Sequence, residues 1–323
     1  MKLIIQIPCL NEVATLAIAV AALPRQVDGF DAVEWLVIDD GSTDGTSELA
    51  RELGVDHVVR HPVNRGLAAA FMTGLHAALR LGADVIVNTD ADNQYEAADI
   101  PLLTRPILAG QADMVIGARP IDDTAHFSWI KKKLQRLGSW AVRKASGTDV
   151  QDAPSGFRAI ARETALRLNV FNPYTYTLET IIQAGQSNLR IASVPVRTNE
   201  DLRPSRLVRS IRSYVRRSLV TIVRVFVISR PIFPFLTISA LLGVPGILLG
   251  LRYLVFMAMG QGGGHVHSLI LASLLLTLSA LSLLCGLLAD LIATNRKLLE
   301  RISLASSTLA LQSQEPAGGD QGP

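Results

Sequence analysis

Two carboxylates, Asp90 and Asp92, stand one residue apart in VIVNTDADNQY (85–95), directly after a run rich in β-branched apolar residues and just before Gln94. Like charges this close repel, and burying them unpaired is costly. A divalent cation resolves the conflict. Hard oxygen ligands suit Mg²⁺ or Mn²⁺, and Mg²⁺ typically takes one or two carboxylates and completes its shell with water and substrate phosphates. A strand end that holds such an ion beside a crevice is a place to hold a diphosphate. The competing reading is that either aspartate caps the following helix.

Three more segments put polar residues directly after apolar runs. LIIQIP leads into Pro8, Asn11 and Glu12, and WLVIDDGSTDGT places Asp39, Asp40, Gly41 and Ser42 at a turn. HPVNRGLAAA brings Asn64, Arg65 and Gly66. Each alone reads as a turn or a helix cap, with Thr43 or Asp44 suited to that role in the second. Four in register on one edge of one sheet do not.

The elements that must position them are legible as an alternation. LIIQI (3–7), WLVID (35–39), DHVV (56–59), DVIVN (84–88) and DMVIG (113–117) read as strands, separated by helical stretches such as LAAAFMTGLHAALRLG (67–82). Such alternation predicts an α/β domain with a largely parallel sheet. In these folds ligands collect at the C-terminal ends of strands.

The chain of 323 residues is 49% hydrophobic, with a mean hydropathy of +0.32, too apolar for an ordinary soluble domain. The excess sits in two uncharged segments, 232–251 and 268–289, each close to the roughly 20 residues that cross a bilayer. No signal peptide is read at the N-terminus, whose short apolar run meets Pro8 and Asn11. Cys9 and Cys285, far apart and without metal-type spacing, suit a reducing cytosol.

The net charge of +3 hides an asymmetry: Leu202 to Ala289 contains no Asp or Glu, while eight arginines fall between Arg203 and Arg230. From Arg206 to Val227 the pattern is amphipathic at helical period, with Leu207, Ile211, Val215, Leu219, Ile222 and Phe226 on one side. Such a helix suits anionic lipid headgroups, and intramolecular or subunit packing is the competing reading. Few aromatics interleave the arginines, which argues against nucleic acid. With Arg296, Lys297 and Arg301 beyond the second segment, the positive-inside rule puts both ends in the cytoplasm. The tail from about Ser303 reads as disordered.

In order and spacing, PCLNE, VIDDGSTDGT, NRGLAAAFMTGL, DADNQY, GAR and SGFR, followed by the basic stretch and two apolar segments, resemble glycosyltransferase family 2. Within it the set is similar to the polyprenyl-phosphate hexose transferases. The likeness covers roughly residues 3 to 295. It implies a GT-A domain with a Rossmann-like mixed sheet over residues 1–200, a basic juxtamembrane region (201–230), two membrane helices (231–295) and a cytoplasmic tail (296–323). It also implies a nucleotide-diphospho-sugar donor, Mg²⁺ or Mn²⁺, inversion at the anomeric carbon and a polyprenyl phosphate acceptor in the cell membrane.

Carried over by position, Pro8, Asn11, Glu12, Asp39, Asp40, Ser42, Asn64, Gly66 and Asp90 would hold the nucleotide and donor, with Arg203, Ser205 and Arg206 of RPSRL closing on the diphosphate. A proline stands there in place of the family's usual glycine. Asp90, Asp92 and Gln94 would hold the metal. Basic groups must place the acceptor phosphate; Arg119, Lys132, Lys133 and Arg136 are the candidates, a solvated helix face being the alternative for the lysines. Asp92, Asp152 and Arg119 form the expected catalytic set, and Ser155, Arg158 and Glu179 are expected by the sugar and reacting centre. Asn93 stands where the family commonly has an apolar residue, and would bear on the choice of sugar.

Rival readings remain open. A processive polysaccharide synthase would need a Gln-x-x-Arg-Trp motif, which is lacking. A non-catalytic nucleotide-sugar-binding membrane protein, or a family 2 transferase with another lipid or glycan acceptor, fits the same pattern.

Overall fold

The computed structural model describes residues 1–120, 139–140, 142–143, 147–170, 176–199, 232–260 and 266–312. The chain divides into two compact units, Met1–Val225 with Ser303–Pro323, and Phe226–Ile302.

Strands β1 (Lys2–Cys9), β2 (Ala32–Asp39), β3 (His57–Arg60), β4 (Val85–Asn88), β5 (Met114–Ala118), β6 (Arg158–Ala161) and β7 (Ile191–Pro195) form one sheet in the first unit, in the order β3-β2-β1-β4-β6-β5-β7. β1 runs parallel to β2 and β4, β2 to β3, and β5 to β7, while β6 is antiparallel to both β4 and β5. The five strands expected from sequence are all present. β6 and β7 are additions, and β6 makes the sheet mixed.

Strand alternation sorts the core into two layers. In β1, Ile4 packs with Leu36, Ile38 and Ile86 on one face, and Leu3, Ile5 and Ile7 pack with Val37, Val85 and Val87 on the other. The first face is covered by α3 (Leu67–Arg80), α5 (Arg162–Arg167) and α6 (Thr177–Gln186), which bring Phe71, Leu75, Ala165 and Ile181. The second is covered by α1 (Val13–Ala22), α2 (Thr46–Glu52) and α4 (Ile100–Leu108), which bring Leu16, Val20, Ala50, Ile100 and Leu103. Burial on both faces explains the near-continuous apolar runs of the strands.

The register decides where the chemistry goes. Cys9 pairs with Asp39, and Gln6 with Asn88, so β1, β2 and β4 end near one edge. β5 and β7 run the same way and deliver Arg119 and residues 196–199 there. β6 runs the opposite way, so the segment that precedes it, Asp152 to Phe157, reaches that same edge. One antiparallel strand thus converts a leading loop into a neighbour of the trailing ones.

Helices α7 (Ile232–Ala258) and α8 (Val266–Gln312) carry the two apolar segments, which fall in the second unit. α7 and Val266–Asn295 of α8 are long and apolar enough to cross a membrane and are mostly exposed, unlike core helices of a soluble protein. They meet through close contacts. Ser279 donates its hydroxyl to the Ser239 carbonyl at 2.8 Å, Ser282 donates to that of Phe235 at 2.9 Å, and a Cβ on Gly286 would stand 2.9 Å from Phe235 Cβ. Small residues and interhelical hydroxyl bonds are what helix pairs use where no hydrophobic drive exists between them. α8 continues to Gln312, past Ser303, where the sequence reading ends ordered structure. The proposed amphipathic helix 206–227 lies outside the described residues.

Candidate active site

The loops after β1, β2 and β3 are tied to one another by their own polar groups. Asn11, at φ +53°, donates its N–H to Ser42 Oγ at 2.8 Å and accepts from the Thr43 N–H at 2.9 Å. The Glu12 N–H donates to Thr46 Oγ1 at 3.0 Å, and its carboxylate accepts from Thr15 at 2.9 Å. Asp39 is fully buried; it accepts from the Ser42 N–H at 2.7 Å and from the Ser47 hydroxyl, with Arg60 Nε 3.7 Å away. Gly41 (φ +79°) lets these loops touch, because a Cβ there would lie 2.7 Å from Asn64 N.

Asp40 is committed to the same scaffold. It accepts from the N–H groups of Arg65 and Gly66 at 2.9 and 2.8 Å, and its Oδ1 lies 2.7 Å from Nδ1 of buried His61. His61 Nε2 in turn meets Thr73 Oγ1 of α3 at 2.9 Å. Asp40 therefore holds the Asn64–Gly66 loop at the start of α3, with Asn64 left exposed. Sequence reading placed Asp40 on the nucleotide and did not single out His61; the contact between them crosses 21 residues and has no local signature.

Asp90 and Asp92 behave differently. Asp92, half-buried, accepts from the Gln94 N–H at 3.2 Å. No hydrogen bond from the described residues closes on the Asp90 carboxylate. Asp90 keeps some exposed surface, yet burial first, and the charge of Asp92 second, push its pKa up to about 7 against the pull of Arg119 and Arg158. Among the described residues no group of three or more His, Cys, Asp or Glu could hold an ion unaided. A cation here would draw on two carboxylates, the Gln94 amide, water and ligand phosphates, which is the oxygen set Mg²⁺ and Mn²⁺ accept. The residues fit such an ion.

Arg119 and Asp152 form one unit rather than two separate contacts. Arg119 Nε and one terminal nitrogen donate to the two Asp152 oxygens at 2.7 and 3.1 Å, and its N–H adds a third bond at 3.3 Å. Bidentate pairs of this kind fix orientation as well as charge. Arg119 also lies 5.9 Å from the centroid of Tyr95.

Ser155 and Arg158, expected beside the sugar, are instead fully buried. Arg158 donates to the Ser155 carbonyl, to Thr180 Oγ1 at 2.7 Å and to the Thr177 carbonyl at 3.3 Å, stitching the SGFR turn to the first turn of α6. Both residues are thus engaged within the fold, beneath the loops that carry Asp90 and Arg119. Glu179 is half-buried in that first turn of α6. Arg203, Ser205, Arg206, Lys132, Lys133 and Arg136 lie outside the described residues.

A floor that sequence reading missed lies under Asp90. The Gly156 N–H donates to Tyr95 Oη at 3.0 Å, its carbonyl accepts from Asn88 Nδ2 at 2.9 Å, and Asn88 Nδ2 also reaches Tyr176 Oη at 2.9 Å. A Cβ on Gly156 would stand 3.1 Å from both Asp90 oxygens. Tyr95 stacks on Phe157 and Tyr176 on Phe71, so both phenols are anchored by aromatic packing.

The glycosyl transferase family 2 model matches residues 4–168, the span that carries all four strand-end loops. The chain belongs to that family. Its first unit has the GT-A fold, and sits on the glucosyl-3-phosphoglycerate synthase of Mycobacterium tuberculosis with a TM-score of 0.54 at 25% identity, covering 68% of this chain and 79% of that one. That protein was crystallised with Mn²⁺, UDP and glucosyl-3-phosphoglycerate. Among family relatives, the chain is 28% identical over 206 residues to an undecaprenyl-phosphate mannosyltransferase of Micrococcus luteus (61% of this chain, 83% of the relative). It is 30% identical over 185 residues to a UDP-N-acetylglucosamine–dolichyl-phosphate N-acetylglucosaminyltransferase of Methanococcus voltae (50% and 73%). These relatives are named for transfer to a polyprenyl phosphate.

Proposed function

We propose that this family 2 enzyme moves a hexose-type sugar, with inversion, from a nucleotide-diphospho-sugar to polyprenyl phosphate at the cytoplasmic membrane face. The observation that carries the reading is the Asp90–Asp92 pair, which receives one backbone N–H among the described residues, at an edge where the buried carboxylates Asp39, Asp40 and Asp152 are matched by protein donors. A divalent ion held by Asp90 and Asp92, with Gln94 beside it, would stabilise charge on the departing nucleoside diphosphate.

The rest falls to the chain. An acceptor phosphate is already anionic at neutral pH, so the nucleophile needs placing more than deprotonating. Asp152, held in a bidentate ion pair, is thus better suited to orienting Arg119 than to taking a proton. Arg119, with Lys132, Lys133 and Arg136, would place the acceptor phosphate. Pro8 and Asn11 would line the nucleoside on loops that Asp39 and Ser42 hold in place, with Arg203, Ser205 and Arg206 over the diphosphate. The two apolar helices and the basic region before them favour a lipid acceptor over a soluble phosphate ester such as phosphoglycerate. Homo-oligomers would be compatible with this arrangement.

The test is full-length protein with Mg²⁺ or Mn²⁺, polyprenyl phosphate and a panel of UDP- and GDP-sugars. One glycosylated lipid phosphate is expected, and Asp92→Asn abolishes it. If no donor yields product and Asp92→Asn binds nucleotide as the parent does, the catalytic reading is lost.

A further inference from the structure

The metal-site loop is held down by a strap that no strand-end motif announces. After β7 the chain crosses the loop that carries Asp92 and Gln94. The Val196 N–H donates to the Ala118 carbonyl at 3.0 Å, that of Glu96 to the Arg197 carbonyl at 3.2 Å, and Thr198 bridges to Tyr95. Arg197 grips buried Asp99 through its N–H at 2.7 Å and its guanidinium at 2.6 Å. Asn199 makes three bonds to the loop itself. Its N–H donates to the Gln94 carbonyl at 2.9 Å, and its amide donates to the carbonyls of Asn93 and Tyr95 at 3.0 and 3.3 Å.

Asn93 explains why such a clasp is needed. It holds φ +55°, a left-handed conformation that costs most side chains about 1–2 kcal/mol and that asparagine tolerates best after glycine. The bend there turns the chain between Asp92 and Gln94. Three consecutive carbonyl groups, of Asn93, Gln94 and Tyr95, are then satisfied by one residue.

We infer that Asn199 is a positioning residue for the cation: its three bonds fix the bend at Asn93, and so where Asp92 and Gln94 point. The inference rests on the proposed metal-assisted transfer. It also reassigns Asn93 from sugar choice to loop geometry. Because Arg203 follows Asn199 by four residues, the clasp joins the metal loop directly to the start of the basic stretch.

The experiment reads free Mn²⁺ by electron paramagnetic resonance, using full-length protein with UDP in one arm and GDP in another. Asn199→Leu, of the same branching at Cγ, and the smaller Asn199→Ser both remove the amide donors. Each should weaken Mn²⁺ retention about tenfold, as loss of outer-shell partners does at metal sites. Metal-free nucleotide binding should stay within about twofold of the parent. Asn93→Gly, which keeps the bend but frees the backbone, should cost little alone and more than its own share in combination with Asn199→Leu. Retention within twofold of the parent in both Asn199 variants overturns the inference, and if the leucine variant fails to fold, the serine variant decides. Should the parent itself retain no Mn²⁺ with either nucleotide, it is the metal-assisted reading that falls.

Discussion

Asp39 and Asp40 on one side of the edge, and Asp90 and Asp92 on the other, look alike in sequence: each pair is acidic, follows a buried strand and precedes a helix. In the folded protein they are opposites. The first pair is saturated by Ser42, Ser47, His61, Arg65 and Gly66, all from this chain. The second receives one backbone N–H, from Gln94, among the described residues. A carboxylate the protein has already matched builds the site; one it has left open is available to what binds there. The difference follows from the strong cost of an unmatched buried charge.

The comparison breaks most decisively at Asp92. Asp92→Asn should lower kcat/KM about 10³-fold, since the charge stabilisation a metal supplies is worth several kcal/mol. The same change relieves repulsion with Asp90, so resistance of the metal-free protein to urea should stay level or rise. Activity lost together with stability would show that Asp92 is a scaffold group like Asp40. For Asp40→Ala the expected signs reverse in emphasis. Removing a buried partner of His61 and of two N–H groups should cost about 3 kcal/mol of unfolding free energy, read from urea denaturation of the catalytic unit's fluorescence.

The distinction was only half legible in the sequence. β1, β2, β4 and β5 announced themselves because parallel strands buried on both faces must be apolar throughout. β6 did not: RAIA is four residues long, begins with an arginine and runs straight into a helix. Nor did β7, half-buried at the sheet's end. Losing β6 from the reading also hid why Asp152 and Gly156 belong at the site. Motif order could place carboxylates on an edge, but whether Asp40 and Asp152 are matched depends on partners 21 and 33 residues away, His61 and Arg119. Periodicity carries no record of those.

Gly156 sharpens the contrast from beneath. In Gly156→Ala the new methyl would press on both Asp90 oxygens and on Tyr176 Oη, at 3.1 and 3.0 Å. Overpacking of this kind costs about 1–3 kcal/mol, here expressed as roughly tenfold weaker Mn²⁺ retention with a stability loss near the lower bound. If Mn²⁺ affinity were unchanged, Asp90 would not depend on that floor.

The gentlest probe is pH, and Asp90 should answer it differently from carboxylates that an arginine already matches, such as Asp99 and Asp113. Asp90 in the folded protein has its pKa raised to about 7, above its ordinary value, by burial and by Asp92. The folded state therefore binds a proton that the unfolded chain has already lost between about pH 4 and 7. Stability of the metal-free protein should fall as pH rises through that window, by at most about 1.4 kcal/mol per unit and less where solvent screens the group, and level off above it. Asp99 and Asp113 act in the opposite sense: burial opposes the charge of Asp99 but Arg197 holds its pKa below the ordinary range, and the Arg190 hydrogen bond does the same for Asp113 against a smaller cost of burial, so their contribution is lost only at more acidic pH. Cation binding needs Asp90 ionised, so Mn²⁺ affinity should climb with pH below 7 and gain only about twofold between pH 7 and 8. Asp90→Asn should flatten the metal-free stability curve across that window, whereas a slope that survives the substitution would place the proton elsewhere and leave Asp90 as well matched as Asp40.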